Sequence, residues 1–280
     1  MTQAAAQSSA SATADVIVVG AGPAGSSAAF HMATLGLDVI LLEKQELGRD
    51  KVCGDGLTPS AVRELVSMGV DTSGWQRNRG LRVIGGGHLL HFPWPEQASF
   101  PSYGMARPRA LLDRDLAEHA AAAGARLLTG VTVTGPVTSP TGRVTGVEAR
   151  PTSRVAYPGI EGPTTFTAPL VVDAGGVSAR LATAVGRTKN ERRPMGVAVR
   201  AYFRSPRAKD AWMESRLELW DGKPGKSDLL PGYGWIWSVG EGLVNVGLGS
   251  VSSRASATAI DYRAVFNRWM DNVPASWGFT

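Results

Sequence analysis

Residues 15–44, "DVIVVGAGPAGSSAAFHMATLGLDVILLEK", decide the fold, because three patterns follow one another there in a fixed order. Residues 15–19 hold an apolar, β-branched run that suits a strand buried on both faces. Gly20, Gly22 and Gly25 then make G-x-G-x-x-G, with Pro23 near the helix start, where its missing N–H does no harm. The small residues of 24–29 let that helix lie close to the sheet. Val39 to Leu42 form a second buried strand, and Glu43 ends it, 18 residues after Gly25. Alone, the glycines would be no more than a flexible turn. In this order they are the fingerprint of a dinucleotide site.

The physics of such a site is direct. Glycines let the backbone approach a pyrophosphate, which rests on the positive end of the helix. Glu43 can accept hydrogen bonds from both ribose hydroxyls of an adenosine and would repel a 2′-phosphate, which disfavours NADP here. The candidate contacts are Gly20, Gly22, Pro23, Ala24, Gly25, Glu43 and the adjoining Lys44.

Working outward, 280 residues are long for one core, so two lobes are expected. Apolar content of 43% with 19% charged residues excludes a disordered chain. A net charge of +5 suits an anionic cofactor or membrane surface, but is too small and dispersed to argue for nucleic acid. Cys53 is the single cysteine, which excludes an internal disulfide framework and fits a reducing cytoplasm. Residues 1–14 lack a basic start and an apolar run, so they read as a disordered tail rather than a signal peptide. The longest apolar stretches fall short of the roughly 20 residues that span a bilayer. His88 and His91 would point to opposite faces of a strand, and no metal site is expected.

Three further stretches carry a resemblance. "ARPRALLDRDLAEHAAAAGARLLTGVTVTG" (106–135) holds Arg109, Leu112, Asp113 and Leu116 in the R-x-x-L/F-D-x-x-L pattern of flavoproteins of the hydroxylase and geranylgeranyl-reductase superfamily. Leu112 and Leu116 share one helical face and read as packing. Arg109 at the helix start is the exception, since a helix N-terminus gains nothing from a cation. "APLVVDAGGVSARLATAVG" (168–186) resembles the second flavin-side motif, with Ala174 where the aspartate usually stands, Asp173 before it, and Gly175, Ser178 and Arg180 retained. "DKVCGDGLTPSAVREL" (50–65), "FPSYG" (100–104), "GVAVRAYF" (196–203), "LPGYGWIW" (230–237) and the final "WGFT" narrow it. From about residue 14 onward the chain resembles the geranylgeranyl reductase family, and more closely its actinobacterial branch of menaquinone reductases.

That resemblance implies an α/β fold: a Rossmann-type, p-hydroxybenzoate-hydroxylase-like FAD-binding domain with an inserted antiparallel β-sheet substrate domain. The expected division is 15–79 with 105–187 for FAD, and 80–104 with 188–280 for substrate. Alternating patterns at 80–93, 195–204, 214–220, 233–239 and 243–250 suit the second part, and 259–272 has helical spacing. The implied cofactor is FAD, contacted also by Arg109, Asp173 and Gly175. The implied activity is reduction of isolated C=C bonds of a polyprenyl chain, with a geranylgeranyl lipid or menaquinone tail as substrate. Tyr233, Trp235 and Trp237 share a strand face and would line the substrate pocket; ordinary core aromatics are the alternative. The family's third flavin motif, G-D-A-A-x-x-x-N-P, has no counterpart in 1–280, which implies a C-terminally truncated chain, a divergent short form being the alternative.

Cys53 has three readings: metal ligand, small apolar filler, or reactive group. In the resembled family its loop approaches the flavin, which makes Cys53 the candidate catalytic residue, shaping the flavin–alkene contact or relaying a proton. Asp55 beside it reads as a turn former that could hold such a relay. The electron donor, NAD(P)H, ferredoxin or another, is left open. A cytoplasmic protein at the inner face of the cell membrane is expected, with no nucleic-acid partner. The competing functions are an FAD-dependent aromatic hydroxylase-type monooxygenase and a non-catalytic flavin- or lipid-binding remnant. A halogenase W-x-W-x-I-P signature fails after Ser238, at Val239 and Gly240.

Overall fold

The chain leaves its first folding unit and later re-enters it. It begins there with β1 (Ala10–Thr13), β2 (Val16–Val19), α1 (Pro23–Thr34) and β3 (Val39–Leu42). A second unit then takes β4 (Gly56–Leu57), α2 (Pro59–Ser67), β5 (Gln76–Asn78), β6 (Gly80–Gly85), β7 (His88–Pro93) and β8 (Gly104–Ala106). Along α3 (Arg109–Ala122) the first unit resumes, with β9 (Arg126–Leu128), β10 (Val131–Thr138), β11 (Val144–Pro151), β12 (Thr164–Thr167), β13 (Leu170–Asp173) and α4 (Arg180–Ala184). The rest is β14 (Met195–Arg204), β15 (Trp212–Arg216), β16 (Leu219–Trp220), β17 (Leu229–Leu230), β18 (Gly232–Gly240), β19 (Leu243–Ser252) and α5 (Tyr262–Met270). This computed structural model describes residues 10–152, 162–188, 190, 194–252 and 260–280. Among them, no helix is long and apolar enough to cross a membrane.

The first unit comprises Met1–Arg49 and Ala110–Lys189. Its centre is a parallel sheet in the order β13-β2-β3-β9. The side chains of β2 and β3 alternate between two apolar layers, as a doubly covered sheet requires. Val16, Val18, Val39 and Leu41 pack with Ala29 of α1 and with Ala117 and Ala120 of α3. Ile17, Ile40 and Leu42 pack with Val147 and Phe166 of a second sheet, ordered β1-β12-β11-β10. Residues 1–9 of the expected tail lie outside the described residues. Ala10–Thr13 departs from that expectation: it is a strand parallel to β12, with Ala12 and Ala14 against the core.

Asp50–Arg109 and Asn190–Thr280 make the second unit. Residues 50–79 and 105–109, which the sequence reading assigns to the FAD-binding domain, pack within this unit. The cause is local pairing: β4, β8 and β5 form a small antiparallel sheet that closes this stretch on itself. The main sheet is six-stranded, β14-β19-β18-β15-β6-β7, antiparallel except where β15 runs parallel to β6. One face packs Ile236, Val244, Val246 and Leu248 against Val265, Phe266 and Trp269 of α5. Gly234 is what admits that helix, since a Cβ there would stand 2.2 Å from the Trp269 ring.

Candidate functional site

In the first unit the β2–α1 turn is built for close approach. Gly20 has φ +101, and its carbonyl oxygen would lie 1.8 Å from a Cβ on Gly25, so the helix and the turn touch backbone to backbone. A Cβ on Gly20 would itself meet the Ala174 carbonyl at 2.7 Å. Gly22 differs: among the described residues, a Cβ there would meet nothing within 4 Å. It is the N-cap of α1, carries no side-chain cap, and Pro23 follows at the first helical position with Ala24 exposed beside it. An open helix end with free space over a glycine is what a diphosphate needs, so these residues fit FAD.

Glu43 bends back onto this turn. One carboxylate oxygen accepts the Ala21 N–H at 2.9 Å and the other the Gln45 N–H at 3.0 Å. Each oxygen keeps a further lone pair for a ribose hydroxyl. Lys44 is exposed at the strand end. The Asp173 oxygens accept the Gly175 N–H at 3.1 Å and the Ala182 N–H at 2.8 Å, tying the β13 turn to α4. Gly175 lies in that turn, exposed.

The second unit gathers the remaining candidates. Cross-strand register puts Tyr202, Asn245 and Trp237 in one row, and Arg200, Gly247 and Trp235 in the next, all on the sheet face opposite α5. The glycine is required, since a Cβ on Gly247 would lie 2.3 Å from the Trp235 ring and 2.7 Å from Arg200 Cβ. Trp235 and Trp237 stack at 5.9 Å, and Tyr233 stands 5.9 Å from Trp235. Trp237 and the 44% exposed Tyr233 line a cavity of about 400 Å³ together with Leu81, Val83, Trp94 and Met213. Trp235 does not line it; it is buried, its indole N–H held by Asn245 Oδ1 at 2.8 Å.

Residues 50–55 are fastened to this face. Arg200 pairs with Asp50 and donates to the Lys51 carbonyl at 3.0 Å. Asn245 Nδ2 donates to the Cys53 carbonyl at 2.9 Å, and Trp237 Nε1 to the Gly54 carbonyl at 2.6 Å. Gly54 must be glycine for that approach, because a Cβ would sit 2.7 Å from the Trp237 ring. Cys53 is half-buried. Asp55 is the hub: only 1% exposed and at φ +61, it accepts from Tyr202 Oη at 2.6 Å, Asn245 Nδ2 at 2.7 Å and the Arg109 amide at 3.1 Å. Arg109 thus opens α3 with its N–H on this carboxylate.

Burial pushes the Asp55 carboxyl above its ordinary range, against the lowering pull of Tyr202, Asn245, Arg200 and the Arg109 amide. Burial and the Asp55 carboxylate together push the Tyr202 phenol up, so it stays a donor. The linkage sign follows. A carboxyl raised in the folded state contributes stability below its unfolded value and loses it as pH rises through the folded one. The stability advantage of the native protein over Asp55→Asn is therefore expected to be smaller at pH 7 than at pH 4, read from urea midpoints. An advantage that grows with pH would show Asp55 held down by its donors instead.

Neither Asn245, Tyr202 nor Arg200 stood out in the sequence. The available signal was "GVAVRAYF" and "LVNVGLG", where polar residues interrupt one face of otherwise apolar strands.

The chain belongs to the FAD binding domain family, whose model matches residues 13–256, and the cofactor so indicated is FAD. It is 38% identical to the menaquinone reductase of Mycolicibacterium smegmatis, over 95% of this chain and 62% of that protein. It is 30% identical to digeranylgeranylglycerophospholipid reductase 1 of Methanosphaera stadtmanae, over 89% of this chain and 57% of that one. The crystal structure of a geranylgeranyl bacteriochlorophyll reductase-like protein from Thermoplasma acidophilum shares the fold, with TM-score 0.76, 24% identity, and coverage of 96% and 64%. The chain thus spans about three-fifths of the length of the relatives it matches.

Proposed function

We propose that this chain carries the flavin- and substrate-side residues of an FAD-dependent reductase of isolated C=C bonds in a polyprenyl tail, with a menaquinone tail favoured. The observation that carries this is the apolar cavity of about 400 Å³ bordered by Tyr233 and Trp237, alongside the fastened Cys53 segment. Such a cavity suits a chain of branched C5 units and offers little to a polar aromatic substrate, which disfavours the hydroxylase reading. The identity with menaquinone reductases supports the choice of tail. FAD, when bound and reduced, supplies a hydride.

The rest is the protein's task. An isolated trisubstituted alkene has nothing to stabilise a carbanion, so the less substituted carbon must take a proton as the more substituted one takes the hydride. Tyr233 and Trp237 would hold the alkene and exclude water, while Trp235 backs them. Cys53, outside the lining of this cavity, would bear or relay the proton, which leaves sulfur and bonds to the alkene carbon where the tail passes the Cys53 segment. The turn residues Gly20, Gly22, Pro23, Ala24 and Gly25, with Glu43, Lys44, Arg109 and Gly175, are assigned to cofactor, Asp173 acting through its turn. A lipid-soluble substrate implies work at a membrane surface, and the net positive charge is compatible with anionic lipid. The test is anaerobic incubation of dithionite-reduced protein with menaquinones and geranylgeranyl lipids. Gain of one dihydrogen per double bond, seen by mass spectrometry, is expected with the menaquinone. Oxygen-dependent hydroxylation, or no mass change with any lipid, would overturn the reading.

A further inference from the structure

We propose that Asn245 is a positioning residue for this reaction, whose side-chain amide fixes the Cys53–Asp55 segment on the tryptophan face and so sets where the Cys53 thiol stands. The inference rests on the reading of Cys53 as the proton-bearing group. Asn245 is fully buried in β19, and its amide has three partners of defined polarity. An indole N–H can only donate, so Trp235 Nε1 fixes Oδ1 toward itself. Both Nδ2 protons then face acceptors, the Cys53 carbonyl and Asp55 Oδ2. A flipped amide would oppose like to like at all three contacts.

The two acceptors lie on either side of Gly54, whose own carbonyl is taken by Trp237. Tyr202 completes the grip on Asp55, itself held in the left-handed region where a non-glycine residue needs such support. Asn245 is the member that joins the aromatic strand to both ends of this short turn. It does not line the cavity. Its loss should therefore misplace the thiol without altering the room for the chain, and a small misplacement is enough to slow a proton transfer.

Asn245→Asp is the informative variant, because it keeps the volume and the acceptor for Trp235, removes the donor to the Cys53 carbonyl, and leaves at most one shared proton between positions 245 and 55. Cys53 is the single thiol, so alkylation by iodoacetamide reads its surroundings directly. In the FAD-loaded protein, Asn245→Asp is expected to change the alkylation rate roughly tenfold and to lower kcat on an unsaturated menaquinone roughly tenfold, with KM within about twofold. Asn245→Asp/Asp55→Asn restores an amide–carboxylate pair of reversed polarity and should recover part of both. Unchanged alkylation and kcat, or a fall in Tm alone, would overturn the proposal by reducing Asn245 to a partner for Trp235. If Asn245→Asp does not fold, Trp235→Phe/Asn245→Leu is compared with Trp235→Phe, which removes the stranded indole; equal alkylation and kcat in that pair overturn it. Absence of lipid reduction by the native protein would instead defeat the functional reading, while the alkylation contrast still decides the role of Asn245.

Discussion

Gly25→Ala is expected to empty the protein of FAD. Its new Cβ would stand 1.8 Å from the Gly20 carbonyl oxygen and 3.1 Å from Ala174 Cβ, and the first of these is backbone that no rotamer change can clear. Helix α1 must back away from β2, at a cost of about 1–3 kcal/mol for an overpacked contact of this kind. The helix amides, which on the proposed placement face the diphosphate, move with it. Retreat of those donors weakens FAD on the order of 100-fold, which is about 3 kcal/mol of affinity. Gly22→Ala separates binding from folding. A Cβ there meets nothing within 4 Å among the described residues and φ is an ordinary −77, so apo stability should move by less than about 0.5 kcal/mol. The methyl nevertheless enters the space left for the diphosphate, and affinity should fall roughly tenfold. Flavin absorbance per protein after gel filtration, fluorescence titration and apo Tm give the three readings. Full FAD retention by Gly22→Ala would mean that the diphosphate does not lie over this turn.

The contrast between these glycines also marks what a sequence can say. G-x-G-x-x-G is legible because strand, turn, helix and second strand are consecutive, and each pattern confirms its neighbour. The alternating strands of the second unit were legible for the same reason: one face must meet α5, and period-two spacing records it. The placement of residues 50–57 was not, since it depends on β8, β14, β18 and β19, as much as 192 residues away. Nor could spacing distinguish Trp235 from Trp237. Both point to one face, but only register brings Asn245 and Gly247 against them, which turns Trp235 into a buried support and leaves Trp237 at the cavity. Asp55 looked like a turn former and does adopt a left-handed turn conformation. That it is also a buried acceptor for three donors follows from side chains contributed by strands remote in sequence.

Cys53→Ala is expected to leave FAD content intact while slowing polyprenyl reduction on the order of 100-fold, the lower range for loss of a general acid. The bonds that fasten this segment go to the Lys51, Cys53 and Gly54 carbonyls and to the Asp50 and Asp55 carboxylates. None of them uses the thiol, so a side-chain change at 53 leaves the fastening in place. Cys53 is also not among the residues lining the cavity, and KM for the lipid should change by less than about threefold. Cys53→Ser keeps a proton donor of similar size but a far weaker acid, so it should fall between Ala and the native protein. If the proton instead came from solvent, both variants would reduce the lipid at the native rate with the same double bonds saturated. That outcome, measured by single-turnover oxidation of the reduced flavin with lipid in excess, would return Cys53 to the role of a small half-buried side chain. A loss confined to one double bond of the tail would point elsewhere, to Cys53 shaping the flavin–alkene contact, because a missing acid slows every bond alike.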